Sequence, residues 1–291
     1  MPTLLDFRRR IRSVKNTQQI TRAMKFVAAA RLRRAQERAL AARPYAQQMA
    51  RVLRSTMARI EAPIHPLLAR RPEERLLVLV VTGERGLCGA FNANILRKAA
   101  ELFRQSVEKK VTVMPIGKKG RDALRKQGRA LAGEYINVLA RVHFEDARRI
   151  ATQVIELYTR AEVDAVYVVF SEFKNVLAPQ LVAEKILPVE AIPQEEESPA
   201  EAATAKVDYI YEQPAETLLD RILPRYVETQ VYRIMLESSA AEHGARMAAM
   251  ESATKNAGEV IERLTLHMNK VRQAAITREI IEVVSGAATA N

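Results

Sequence analysis

Residues 216–285 read ETLLDRILPRYVETQVYRIMLESSAAEHGARMAAMESATKNAGEVIERLTLHMNKVRQAAITREIIEVVS, with no proline after Pro224. Val227, Val231, Ile234, Ser238, Ala241, Ala245, Ala248 and Ser252 alternate steps of four and three, the heptad seam of a helix that packs lengthwise against another. One residue is then skipped, and Ala253, Ala257, Val260, Leu264, His267, Val271 and Ala274 continue the stripe. At 1.5 Å per residue, roughly 70 residues predict a rod of about 105 Å, longer than a compact domain of this size needs. The middle of the seam is Ala and Ser, which lets two helices approach closely but buries less apolar area per turn.

Residues 3–58 supply a second helix. Leu4, Phe7, Ile11 and Val14, then Met24, Ala28, Leu32, Ala35 and Ala39, step by threes and fours, while Gln18 and Thr21 turn the same stripe polar. Pro44 is expected to kink or interrupt this helix because it removes a helical hydrogen bond. Pro63, Pro66 and Pro72 end the segment. Two long helices at opposite ends of the chain imply an antiparallel coiled coil of the termini. The C-terminal helix is the longer, so its last turns overshoot. That overhang, Ile276 to Val284, is too apolar to stand in water as a single helix and wants a sleeve.

The centre alternates between strand and helix. Leu76–Thr82 (LLVLVVT) is a continuous apolar run of strand length, as in a strand covered on both faces. Helices are expected at Ala90–Glu108, Lys119–Gln127 and Glu145–Arg160, and strands at Val111–Ile116, Tyr135–Leu139, Ala165–Phe173 and Gln180–Leu187, the last two paired. Repeated strand–helix–strand units imply a mostly parallel, right-handed sheet. Val207–Tyr211 could add an edge strand. The expected organisation is α/β: a coiled-coil helix over 1–60, a Rossmann-like α/β domain over 75–211 with a mobile loop at 192–205, and a coiled-coil helix over 214–291. The α/β domain is thus inserted between the two helices of an antiparallel coiled coil.

Composition narrows the function. Cys88 is the only cysteine, which excludes an internal disulfide framework and any zinc site built on several cysteines. No run of about 18 apolar residues is present to span a membrane, and no apolar stretch follows the N-terminal arginines as in a secretory signal. The net charge is +12. Residues 1–60 hold 15 basic side chains against Asp6 and Glu37 alone, an excess of 13 that exceeds that of the whole chain. Such a helix is a solvated face, a nucleic-acid-binding arm, or a surface for an acidic protein partner. Nucleic-acid binding would use exposed aromatics or base-reading amides among the arginines, and the arm offers Asn16, Gln18 and Gln19 but few aromatics.

Catalytic patterns are weak. The loop Thr82-Gly83-Glu84-Arg85-Gly86-Leu87-Cys88-Gly89-Ala90-Phe91 joins strand to helix, yet has neither G-x-G-x-x-G spacing nor a P-loop Lys-Ser/Thr pair, so a tight connection explains its glycines better than a phosphate does. Gly117-Lys118-Lys119-Gly120-Arg121 similarly reads as the opening of a solvated helix before it reads as a phosphate turn. His65, His143, His243 and His267 are scattered and form no motif with Cys88, and His243 and His267 lie too far apart to share a metal. No catalytic residue, bound cofactor or metal is expected.

Three stretches carry a resemblance. Ile11–Ala30 (IRSVKNTQQITRAMKFVAAA), Arg85–Asn92 (RGLCGAFN) and Asn269–Ala288 (NKVRQAAITREIIEVVSGAA) resemble, in this order and spanning nearly the whole chain, the signatures of the gamma subunit family of F-type ATP synthases, bacterial type. The resemblance implies a central rotor shaft that couples proton-driven rotation of the membrane c-ring to ATP synthesis on the beta subunits of an alpha3beta3 ring, and hydrolysis to pumping in reverse. Arg272, Gln273 and Thr277 match positions that hydrogen-bond a beta-subunit loop, and Met24 and Lys25 match the shaft beside the beta lever. Ile276, Ile280, Ile281, Val283 and Val284 would form the tip in the ring's bearing, the sleeve inferred above. Tyr209, Tyr211 and Glu212 match the foot on the c-ring and epsilon subunit. Implied partners are alpha, beta, epsilon and the c-ring, one copy of this chain per complex, at the cytoplasmic face of a bacterial plasma membrane and peripheral to it. ATP, ADP and Mg would bind the partner subunits. The chloroplast branch carries a redox cysteine pair that this chain lacks. The alternative class is a nucleic-acid-binding α/β protein with a basic helical arm, which leaves the apolar tip unexplained.

Overall fold

The computed structural model describes residues 3–57, 65–173, 180–189 and 215–289. Helix α1 (Leu4–Met57) begins at a reciprocal cap: the Thr3 hydroxyl accepts from the Asp6 amide, and Asp6 Oδ2 accepts from the Thr3 amide at 2.9 Å and the Thr3 hydroxyl at 2.8 Å. The last helix, α5, runs from Ala215 to Thr289. Between them lie β1 (Arg75–Val81), α2 (Phe91–Gln105), β2 (Lys110–Ile116), α3 (Lys118–Lys126), α4 (Phe144–Thr159), β3 (Ala165–Glu172) and β4 (Gln180–Leu187). Pro44 interrupts nothing: α1 continues through it. Its residue is solvent-exposed, so water satisfies the carbonyl that loses its amide partner.

Compactness divides the chain inside both long helices rather than at their ends, into residues 30–245 and the pair 1–29 with 246–291. In the first unit the sheet order is β2-β1-β3-β4, with β1 parallel to β2 and β3, and β4 antiparallel to β3. The apolar run of β1 has the predicted cause. Leu77, Leu79 and Val81 enter one core with Ile150, Val154 and Tyr158 of α4 and Leu223, Val227, Val231 and Ile234 of α5. Val78 and Val80 enter a second core with Phe91, Ile95, Ala99 and Phe103 of α2. Each such side chain contributes about 1.5–3 kcal/mol through burial.

The strand expected at Tyr135–Leu139 does not form. Residues 130–135 run beside β2, with Val113 N donating to Ala130 O and Gly117 N to Tyr135 O, but only isolated bridges result, Val113 to Leu131 and Ile116 to Tyr135. Asn137 at φ 63° sits in the left-handed region and ends the extended path. The edge strand at Val207–Tyr211 and the loop at 192–205 lie outside the described residues.

In the second unit, described over residues 3–29 and 246–289, the two helices pair antiparallel. Phe7 stacks on His267 with ring centroids 5.0 Å apart, Gln18 and Thr21 meet Thr254, and Lys25 meets Glu251. Contacts toward the N-terminus of α1 thus match steps toward the C-terminus of α5. Beyond the skip the expected stripe is buried or half-buried at Ala253, Ala257, Val260, Leu264 and Val271, and the seam widens onto the neighbouring stripe. Thr254, Ile261, Met268 and Ala275 are half-buried, whereas His267 and Ala274 are exposed.

Candidate functional site

The register of the pair decides which residues have a helix beside them. Continuing it from Phe7 and His267, Leu4 at the start of α1 falls opposite Val271, which is half-buried. Beyond that point α5 has no α1 residues to cover it. Arg272, Gln273 and Thr277 are exposed, and so are Ile276, Ile280, Ile281 and Val283, the last at 72%. The side chain of Val284 lies outside the described residues, as do Tyr209, Tyr211 and Glu212. The predicted overhang is therefore present, and it leaves these aliphatic side chains in water, unfavourable at about 25 cal/mol per Å² of exposed apolar surface. Met24 and Lys25 lie within the paired region and are half-buried. The Lys25 ammonium is 2.6 Å from Glu251 Oε1, so part of its charge is used inside the pair. Next to them Ile20, Phe26 and Val27 are exposed apolar residues on α1.

The Gly-rich loop after β1 spends its polar groups on the protein. Gly83 N donates to Asn92 Oδ1 at 2.8 Å, and the Asn92 amide donates to Cys88 Sγ at 3.2 Å. At the start of α3, Lys118 N donates to the Glu84 carboxylate, Lys119 N to Gly83 O and Gly120 N to Thr82 Oγ1. The N–H groups that a phosphate would need at this helix start already have protein acceptors. Gly117 explains itself sterically: at φ 106°, a Cβ there would lie 2.0 Å from Thr82 O. Arg121 is likewise held, by Asp122 and Glu134. Cys88 is buried.

Sequence reasoning missed a cleft of about 1390 Å³ between the parts of α1, β4 and α5 in the sheet-bearing unit. Within it Arg233 donates to both carboxylate oxygens of Glu184 at 3.0 Å and to Glu237 at 3.4 Å. Burial pushes the Glu237 carboxyl above the usual carboxylate range, against the pull of Arg233. It also missed Thr254, whose signal was available: one polar residue in an otherwise apolar half-seam. Among the described residues no cluster of three His, Cys, Asp or Glu is arranged for a metal, and no helix is long and apolar enough to cross a membrane.

Together these features define an α/β protein whose terminal helices pair antiparallel and end in an uncovered apolar tip. The chain belongs to the ATP synthase family, whose sequence model matches residues 3–289. The ATP synthase gamma chain of Solibacter usitatus is 51% identical over the full length of both chains, and that of Pelotomaculum thermopropionicum is 47% identical with 99% of each covered. A chain of the Tetrahymena thermophila mitochondrial ATP synthase central stalk and c-ring structure is 27% identical at a TM-score of 0.61, covering 80% of this chain and 99% of that one. A chain of the Euglena gracilis mitochondrial ATP synthase, 20% identical, shares the fold over 98% of this chain at a TM-score of 0.67. The nucleic-acid-binding alternative finds no support in these relationships.

Proposed function

We propose that this chain is the central-stalk rotor shaft of an F-type ATP synthase, turning inside an alpha3beta3 ring and coupling c-ring rotation to ATP synthesis, or hydrolysis to ion pumping. The observation that carries this reading is the uncovered aliphatic tip, Ile276, Ile280, Ile281 and Val283, at the end of a helix pair in a member of this family. An exposed apolar tip of this kind marks a surface that an apolar bearing would cover. Arg272, Gln273 and Thr277, exposed on the same turns, are positioned to hydrogen-bond a beta-subunit loop. Met24 and Lys25, beside the exposed Ile20, Phe26 and Val27, face the beta lever, and the basic excess of α1 suits acidic segments there. Tyr209, Tyr211 and Glu212 form the foot on the c-ring and the epsilon subunit. Nucleotide and Mg bind the partner subunits, and this chain supplies no catalytic residue and holds no cofactor. It is a peripheral protein, one copy per complex, at the cytoplasmic face of a bacterial membrane.

Co-expression with cognate alpha and beta subunits tests the assembly. Native mass is expected to give one copy per three alpha and three beta, with ATPase activity in that species. A homodimer that ignores both partners would overturn the reading. Arg272→Ala with Gln273→Ala is expected to reduce ATP synthesis by the reconstituted enzyme about tenfold or more, the loss of at least one charge-assisted hydrogen bond of about 1.5–3 kcal/mol. Unchanged synthesis would remove these two residues from the coupling contact.

A further inference from the structure

The seam of the paired terminal helices is mostly apolar, with polar side chains at the level of Gln18, Thr21 and Thr254 and, one turn on, at Lys25 beside Glu251. Along α1 the seam runs Phe7, Ile11, Val14, Gln18, Thr21, Ala28, and along α5 it runs Met250, Thr254, Ala257, Ile261, Leu264, Met268, all buried or half-buried. The polar members of the two stripes meet. Thr21 Oγ1 and Thr254 Oγ1 are 2.8 Å apart, and Gln18 Nε2 donates to the Thr254 carbonyl at 3.3 Å. Each hydroxyl also lies within reach of a carbonyl of its own helix, Gln18 O for Thr21 and Met250 O for Thr254. Two hydroxyl protons cannot serve both of those carbonyls and the bond between the helices. At a separation of 2.8 Å one proton lies between the two hydroxyls, and either can be its donor. Gly258 makes room for the amide: a Cβ there would lie 3.2 Å from Gln18 Nε2.

We infer that Gln18, Thr21 and Thr254, with the space left by Gly258, form a register lock that holds the two helices at one axial setting and so sets how far Ile276–Val283 runs past the start of α1. The aliphatic levels cannot do this, because a slip of one heptad, about 10 Å along the pair, exchanges one aliphatic contact for another. The same slip carries Thr21 to Ile261 or Met247, and Thr254 to Val14 or Ala28. There each hydroxyl can return its proton to the carbonyl of its own helix, so what the slip loses is the tie between the two helices, and the Gln18 amide is left among apolar side chains. The Lys25–Glu251 pair belongs to the same setting and breaks with it. This inference concerns the chain alone and stands whatever complex it enters.

The test uses the full chain with spin labels on Arg12→Cys and Arg278→Cys, both at exposed positions and offset along the pair, so that a slip changes their separation by several ångströms. Labelling is referenced to the parent chain, in which Cys88 is buried. The parent is expected to give one narrow distance distribution. Thr254→Val combined with Gln18→Met keeps size and helix-forming ability but removes the lock, and is expected to split the distribution or at least double its width. Thr254→Ser, which keeps the hydroxyl, is expected to restore the narrow distribution. A single narrow distance in the Val/Met variant overturns the inference. So does equal broadening in the Ser variant, since packing rather than hydrogen bonding would then set the register. If the combined variant loses its helical circular dichroism, Gln18→Met alone is read by the same criterion, and an unchanged distribution there overturns the lock.

Discussion

Asp164 shows how one carboxylate ties two strands. It sits immediately before β3, with its side chain 4% exposed, and accepts from Arg75 N at 2.8 Å, Arg75 Nε at 3.1 Å and Arg75 Nη2 at 2.7 Å at the first residue of β1. The Asp164 amide donates back to Arg75 O, closing the end of the β1–β3 ladder. The Arg75 guanidinium holds the Asp164 carboxyl below the usual carboxylate range, against the opposing effect of burial. A depressed carboxylate stabilises the fold above its unfolded value, near 3.9, and that contribution is lost as pH falls through the lower folded value. Asp164→Asn is expected to lower stability at pH 7 by about 1.5–3 kcal/mol, towards the lower end because Arg75 remains largely solvated. Urea midpoints at pH 7 and pH 3 check this: the difference between wild type and variant should shrink at the lower pH. Neither partner announces itself in the sequence, because Arg75 and Asp164 are 89 residues apart and only the parallel pairing of β1 with β3 makes them neighbours.

At the scale of the element, the two long helices and the apolar β1 were legible because their signals are local. A heptad seam and a run of six apolar residues, Leu76 to Val81, each follow from the pattern of one segment. Where segments had to be judged without their neighbours, reading failed. Tyr135–Leu139 has strand composition, yet Asn137 in the left-handed region and the route of residues 130–135 along β2 leave only isolated bridges. Pro44 has the composition of a helix breaker, yet α1 passes through it, because a helix anchored by packing on both sides of the proline tolerates one lost hydrogen bond at an exposed turn. That tolerance is not free. Pro44→Ala is expected to stabilise the chain by about 1–3 kcal/mol, since an interior proline disfavours the helix by about 3 kcal/mol relative to alanine while also restricting the unfolded chain. A denaturant midpoint that stays level or falls would mean that Pro44 meets a local requirement of its own.

At the scale of the whole molecule, the two compact units differ in what holds them. Residues 30–245 bury a sheet between two cores, whereas the described part of the other unit is a helix pair with a seam of small and half-buried residues. Local opening should follow that difference. Hydrogen exchange by the isolated full chain is expected to be faster by one or more orders of magnitude for amides of residues 260–280 than for those of β1 and β3. Equal protection would mean that the helix pair is as stable as the sheet. The candidate site divides along similar lines. The aliphatic overhang was legible because a helix too apolar for water is visible in one dimension, whereas Arg272, Gln273 and Thr277 were singled out only by the resemblance. The occupied donors of α3, the Arg233–Glu184–Glu237 cluster and the Thr21–Thr254 contact were not, because each joins residues distant in the chain. By itself, then, the sequence determined the long helices, the doubly covered strand, the basic excess of α1 and the apolar overhang, all properties of contiguous segments set by periodicity and composition. Only the tertiary structure decided which polar groups find partners and at which register the terminal helices meet, because a hydrogen bond depends on three-dimensional distance, which spacing along the chain does not supply.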